Sequence, residues 1–349
     1  VDHVKDSASL TRTPSQITIF LYAAIVIRSL LLRGVLSVSL LLSTVTAIPA
    51  SAQQLINADI EVSEAGVVLH EQNGDPWRVT AFSKEVSSSR RAAYLRSSGG
   101  LSFAAKKGYG ELEPAPKGGK VAGVPYASPG AFNSVVIFDS AGKAKRISTV
   151  RKPLNATTPM WARDGRKLVL SIQKDEIDTV GFVIVDTVTG TSKAVMVRGV
   201  DPPSSFQWTP DGKYLVAGIG DPYAGVRVYR QDGRTHRTLR KIGFMQGQDS
   251  FSPSGRQLLT LCLSANASNY CLWDFKSGKL VKRVSDKGMR STIGWWDDRH
   301  LSLMVSDDDG TRAVVIGLNG EITRVLASFT EKATRAWVSL VYTPSHLSG

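Results

Sequence analysis

Cysteine is almost absent from this chain: two of 349 residues, Cys262 and Cys271. So few exclude a disulfide scaffold and any Cys-rich zinc site. Catalytic signatures are missing too. There is no G-x-S-x-G elbow, no H-E-x-x-H and no phosphate-cradling P-loop. Past residue 52 the only histidines are His70, His236, His300 and His346, and none has a chemical partner beside it in sequence. No catalytic residue, cofactor or metal is therefore expected. An enzyme would need a site assembled from residues distant in the chain.

Negative charge is also scarce. Lys and Arg total 43 against 30 Asp and Glu, a net +13. Residues 1–52 hold four basic and two acidic residues, so the remainder carries 39 against 28 and is itself basic. That balance suits an anionic envelope polymer or an acidic protein as partner. It equally suits a solvated surface with no specific partner, because net charge says nothing of clustering.

Residues 1–52 read as an upstream segment plus a signal peptide. Arg28 and Arg33 form a basic n-region, Val35 to Leu42 a short apolar run, and Ala50-Ser51-Ala52 a small-x-small cleavage site. That order predicts export and a mature start at Gln53. The alternative is a retained membrane anchor, with Ile17 to Ile27 adding apolar length and the folded part still outside the cytoplasm. The first residue is Val and the first Met is Met160, so the true start is expected downstream of residue 1. Export argues against a nucleic-acid partner, and membrane contact is expected only if the segment is retained.

What the chain does have is a repeat. Four segments read alike: Trp161-Ala-Arg-Asp164-Gly165-Arg-Lys-Leu168, Trp208-Thr-Pro-Asp211-Gly212-Lys-Tyr-Leu215, Phe251-Ser-Pro-Ser254-Gly255-Arg-Gln-Leu258 and Trp295-Trp-Asp297-Asp298-Arg-His-Leu301. Their leading aromatics are 47, 43 and 44 residues apart. Each aromatic ends a strand, a tight turn follows, and a β-rich apolar run begins. In phase with these lie hairpins with turn glycines Gly142, Gly190, Gly233, Gly278 and Gly320, spaced 48, 43, 45 and 42 residues. One period thus holds four strands and three turns, the content of a propeller blade. Over Arg151 to Ser328 the pattern resembles the TolB-like and WD-repeat-like propellers. Regular Gly-His and Trp-Asp pairs are missing; Trp273-Asp274 is an isolated match.

The expected fold is all-β: a β-propeller of about six four-stranded blades over residues 53–349, its ring closed by N- and C-terminal strands. Trp77 to Ser148 reads as a first blade carrying a Gly/Pro/Lys-rich insertion near 97–131. The run Arg335 to Tyr342 is expected to join residues Ile56 to Gln72 in a shared sixth blade. The repeated Trp161, Trp208 and Trp295 suggest inter-blade packing rather than a sugar platform. Cys262 and Cys271 fall on consecutive strands, where a disulfide can form if the chain is exported. Ser306-Asp-Asp-Asp-Gly310 lacks the distal Glu of a calcium loop and reads as a hairpin turn. Asn155-Ala-Thr157 and Asn266-Ala-Ser268 match glycosylation acceptors and suggest loops.

In a propeller, segments linking successive blades gather near the central channel, and loops on a rigid scaffold carry function. Here they are 152–158, 201–205, 246–249, 287–292 and 331–335. They supply Lys152, Asn155, Asp201, Gln246, Asp249, Arg290, Lys332 and Arg335 as candidate ligand-binding residues. The resulting expectation is a monomeric, non-enzymatic binding or scaffold module at the cell envelope, whose partner is a protein or polyanion. The alternative is an exported lyase or hydrolase of polymers, with its site at the channel mouth.

Overall fold

The computed structural model describes residues 59–87, 90–98, 100–175, 178–201, 204–220, 224–263, 269–285 and 290–345. The chain divides into Val1–Ala52 and Gln53–Gly349, and every described residue belongs to the second unit. The expected signal segment, Gln53, Asn266 and His346 lie outside the described residues. Among the described residues, no helix is long and apolar enough to cross a membrane.

Six antiparallel sheets make a six-bladed propeller. Blade 1 is Ser339–Pro344, Trp77–Ser87, Arg90–Arg96 and Phe103–Ala105, from inside outward. Blade 2 is Tyr109–Pro114, Val121–Pro125, Phe132–Phe138 and Ala144–Arg151. Blade 3 is Asn155–Trp161, Lys167–Gln173, Thr179–Asp186 and Thr191–Met196. Blade 4 is Gln207–Trp208, Tyr214–Ile219, Gly225–Arg230 and Thr235–Arg240. Blade 5 is Phe244–Met245, Gln257–Leu261, Asn269–Asp274 and Leu280–Ser285. Blade 6 is Arg290–Asp297, His300–Asp307, Gly310–Gly317 and Ile322–Phe329.

The residue pattern explains the layering. Middle strands are covered on both faces by neighbouring blades, so they are apolar almost without alternation. In Lys167–Gln173 the five residues Leu168 to Ile172 are all buried. Outer strands meet water and are polar, as Thr191-Ser-Lys-Ala-Val-Met196 is. At the turn after each inner strand the backbone needs a left-handed residue. Gly165 has φ +69°, and a Cβ there would stand 2.5 Å from the Lys117 carbonyl oxygen, so only glycine fits.

The repeated aromatics join blade to blade. Trp161 Nε1 donates to the Glu113 carbonyl at 2.8 Å, Trp208 Nε1 to Met160 at 3.2 Å, and Trp295 Nε1 to Ser250 at 3.1 Å. Each indole buries its ring between blades and spends its one donor on the preceding inner strand. Phe251 holds the equivalent place in blade 5 without a donor and is 1% exposed.

Three expectations need correction. Residues 97–131 are not an insertion within one blade. Tyr109–Pro114 and Val121–Pro125 are the two inner strands of a separate second blade. The prolines end these short strands, and Gly118 and Gly119, at φ +81° and +60°, form the turn between them. Second, the C-terminal strand pairs with Trp77–Ser87, not with residues 56–72. The chain enters blade 1 at its second strand, Trp77–Ser87, so its innermost place is open for Ser339–Pro344. The hairpin Asp59–Val62 and Val67–His70 instead extends blade 6 outward, Val67–His70 pairing with Ile322–Phe329. Third, residues 331–335 are a short helix, capped by the Thr330 hydroxyl, and the strand begins only at Ser339.

Two ion pairs fasten the segment after that hairpin. Arg96 grips Glu71 through two bonds of 2.6 and 2.8 Å, reaching blade 1. Arg324 of blade 6 grips Asp75, with the bond from Nη2 at 2.8 Å. The closing ring is therefore clamped on both sides of its seam.

Candidate functional site

Antiparallel order gives the ring two faces. One carries the blade-to-blade connections and the turns between second and third strands. The other carries the remaining turns. The inner strands bound the axis between them.

Blade 5 breaks its inner strand there. Phe244 and Met245 pair with Leu261 and Thr260, and pairing resumes only at Phe251 with Leu258. Residues 246–249 therefore form a bulge in the innermost strand, not the linker expected from the sequence. The bulge is tied to four other blades. Gln248 Nε2 donates to the Leu340 carbonyl of blade 1 at 2.6 Å, and Gln248 N to Ile293 of blade 6 at 2.8 Å. Gln207 of blade 4 donates to the Gly247 carbonyl at 3.2 Å and accepts from Ser250 N at 2.9 Å. Arg163 of blade 3 donates to Asp249 Oδ2 at 2.9 Å and to the carbonyls of Phe251, Ser252 and Pro253. A bond from blade 5 to blade 1 skips over blade 6, so the bulge reaches across the axis.

Two carboxylates lie on the inner strand of blade 2. Glu111 and Glu113 share one side of Tyr109–Pro114, because strand side chains alternate. Glu111 Oε2 accepts from Thr158 N at 2.9 Å. Burial pushes the Glu111 carboxyl up, against the pull of the Thr158 N–H and Arg91. Burial, and then the Glu111 charge, push Glu113 well above the usual carboxylate range. Thr158 sits at φ +54°, a strained place for a β-branched residue. The pair was not legible because its strand looked like part of a loop. The Glu-x-Glu spacing within 109–114 was the available signal.

The eight sequence candidates do not form one cluster. Among the described residues no hydrogen bond or ion pair joins any two of them. Lys152 is exposed on the connection face, with Nζ donating to the Ser128 carbonyl at 2.8 Å. Asn155 starts the inner strand of blade 3, rather than a loop, and accepts from Asn133 at 3.2 Å. Asp201 lies between blades 3 and 4, its carboxyl pushed up by burial. Gln246 and Asp249 share the bulge, and Asp249 is held by Arg163. Arg290 opens the inner strand of blade 6, its backbone opposite Val305. Lys332 and Arg335 are on the short helix, Arg335 paired with Glu331.

A contiguous surface that the sequence did not mark lies on the connection face of blades 1 and 2. Arg91 Nη2 donates to the Trp337 carbonyl at 2.7 Å and to Ser339 Oγ at 3.2 Å. The Tyr126 hydroxyl donates to the Arg91 carbonyl. The Arg90 guanidinium stands 5.4 Å from the Tyr126 ring centre, a cation–π distance. Trp337 is 46% exposed, Tyr126 43%, Phe132 49% and Val86 48%. Phe244 and Leu263 are exposed on the same face in blade 5.

The histidines among the described residues each have a local partner. His70 bonds Asp59 and Ser328, His300 bonds Asp297, and His236 stacks on Tyr214. Among the described residues no three or more His, Cys, Asp or Glu side chains converge as a metal would need. Asp307 and Asp309, in the expected hairpin turn of blade 6, are paired with Arg312 at 2.7 and 3.2 Å. Cys262 and Cys271 are joined as a disulfide, their Cα atoms 5.2 Å apart.

No protein-family model matches the chain, and no curated protein does. Solved structures do. The β-propeller domain of the Trilobed protease from Pyrococcus furiosus, described as having an open velcro topology, matches with a TM-score of 0.52 at 13% identity, covering 76% of this chain and 83% of that one. TolB from Acinetobacter baumannii gives 0.46 at 14% identity, over 71% of this chain and 65% of TolB, so the chain spans about two thirds of that protein. A nidogen/laminin complex gives 0.49 at 10% identity, covering 75% and 97%. At such identities the likeness is one of fold, and the expected resemblance is met at that level: the chain is a six-bladed β-propeller.

Proposed function

We propose that this propeller is a non-enzymatic binding scaffold that docks a protein partner on its connection face, at the junction of blades 1 and 2. The observation that carries this reading is the joined surface of Trp337, Arg91, Arg90 and Tyr126, with Phe132 and Val86 beside it. Exposed aromatics next to arginines are the composition of interface hot spots. The bulge across the axis supports a face rather than the channel as the docking site.

A partner in the cell envelope is supported by the signal-like segment before Gln53 and by the Cys262–Cys271 disulfide, which suits an oxidising compartment. The basic surface extends the reading to an acidic protein, or to an anionic envelope polymer that crosses the same face. Glu111 and Glu113 are the one feature that speaks for the enzyme alternative, as paired carboxyls whose proton affinity burial raises.

The test is a photo-crosslinking residue at Phe132 and, in a separate variant, at Val188 on the opposite face, both expressed in the native host. One discrete adduct from Phe132 and none from Val188 supports the reading. Equal adducts from both faces, or none from Phe132, removes it. Release of fragments from purified envelope polymers, lost in Glu113→Gln, would instead establish the enzyme.

A further inference from the structure

Each blade ends in an outer strand whose free backbone edge can pair with another strand, a hazard that proteins cover or blunt. In blade 6 the chain covers it by itself. Val67, Val68 and Leu69 pair with Phe329, Ser328 and Ala327. Three paired positions are enough to seat that cap.

Blade 5 is left open. Leu280–Ser285 is the last strand of its sheet. Leu280 and Val281 are 40% and 53% exposed, the only pair of large apolar residues exposed on one open edge among the described residues. A bulge between Leu272 and Trp273 and their partners displaces Val281, so Lys282 to Ser285 form the regular pairing edge. Residues 275–285 hold Lys276, Lys279, Lys282 and Arg283 and no acidic residue. Lys279, Lys282 and Arg283 make no ion pair among the described residues, and all are exposed.

These charges choose the occupant. Two copies of this strand joined through the same free edge are related by a twofold axis at one residue, and at Lys282 or Arg283 that axis sets the charge against its own copy, where like charges across a ladder repel. An acidic strand would pair with the same side chains and fill the same backbone groups. We infer that the outer edge of blade 5 binds an extended acidic peptide by strand addition, as Val67–His70 caps blade 6. This surface is on the rim, distinct from the connection face.

The experiment uses the full chain and a fluorescein-labelled eight-residue peptide alternating Glu and Val, followed by anisotropy. A second peptide has the same sequence with alternate backbone nitrogens methylated, which removes strand N–H donors and keeps every charge. Saturable binding is expected, weakened about tenfold by methylation, the scale of losing one charge-assisted or two ordinary hydrogen bonds. Lys282→Glu with Arg283→Glu is expected to abolish it. Absence of saturable binding overturns the inference. So does equal binding of the methylated peptide, which would mean charge alone, or undiminished binding to the double variant, which would mean another site. A dimer of the unliganded chain in sedimentation, abolished by the same double variant, would assign the edge to a second copy and also overturn it. The methylated peptide needs no change in the protein, so a misfolded variant cannot decide the matter.

Discussion

The side chain of Gln248, on blade 5, donates from Nε2 to the Leu340 carbonyl of blade 1 at 2.6 Å, so two blades that are not neighbours are directly bonded. The residue before it makes this possible. Gly247 holds φ +81°, and a Cβ there would lie 2.8 Å from the Ile293 carbonyl oxygen and 3.0 Å from the Gly294 Cα. Both obstacles are backbone. Gly247→Ala is therefore expected to destabilise the propeller by about 1–3 kcal/mol. Gln248→Ala should cost about 1 kcal/mol and speed amide exchange at residues 340–343. Urea unfolding and hydrogen exchange check both. Unchanged exchange at Leu340–Thr343 in Gln248→Ala would mean the bridge carries no load.

Trp208 tests the blade-to-blade ladder. Trp208→Phe keeps most of the ring and removes the donor to Met160, so about 1 kcal/mol is expected to be lost. Trp208→Ala also opens a cavity between blades 3 and 4 and should cost about 3–5 kcal/mol. Equal losses in the two variants would show that the hydrogen bond, not the packing, dominates.

Glu113 gives a pH dependence with a definite sign. Its carboxyl is raised by burial and by Glu111, so the folded chain holds a proton that the unfolded chain has released. Stability is then full below the ordinary glutamate range, near about 4.3, and falls as pH rises toward the folded value. Glu113→Gln removes that slope. The variant should match the parent at pH 4 and exceed it at pH 8, with a melting temperature higher by about 2–4 °C for each kcal/mol. Parallel melting curves from pH 4 to pH 9 would contradict the burial of this group.

The disulfide should matter through its loop. Cys262 and Cys271 are nine residues apart, and closing so short a loop restricts the unfolded chain by about 2–3 kcal/mol. Cys262→Ser with Cys271→Ser is expected to lower stability by about that amount. Reduction of the parent should do the same under denaturant, and should leave the double variant unaffected.

The repeat made the ring readable. Strong apolar middle strands and glycine turns recur every 42 to 48 residues, so blades 3 to 6 declared themselves. Blade 2 did not, because Tyr109–Pro114 and Val121–Pro125 are short and bounded by Gly and Pro, the composition of a loop. Ring closure was also hidden. Any edge strand could pair with Ser339–Pro344, and only the missing inner strand of blade 1 selects Trp77–Ser87. The site was less legible still. Phase placed Lys152, Asn155, Asp201, Lys332 and Arg335 at the connection face, but not beside one another. The surface around Trp337 and Tyr126 joins residues more than 200 positions apart, with no local spacing to announce it.

The pairing of Ser339–Pro344 with Trp77–Ser87 has a consequence for timing. The first blade to emerge during synthesis lacks its innermost strand until about 250 more residues have been made. Contacts of such separation form late, because the intervening chain must first be brought together. Phe82, Tyr94 and Phe103, which stack in that blade, thus wait with an open edge while the others assemble. A ring built in this order stays loose along one seam during synthesis, and whatever escorts the nascent chain must shield that seam until the circle shuts.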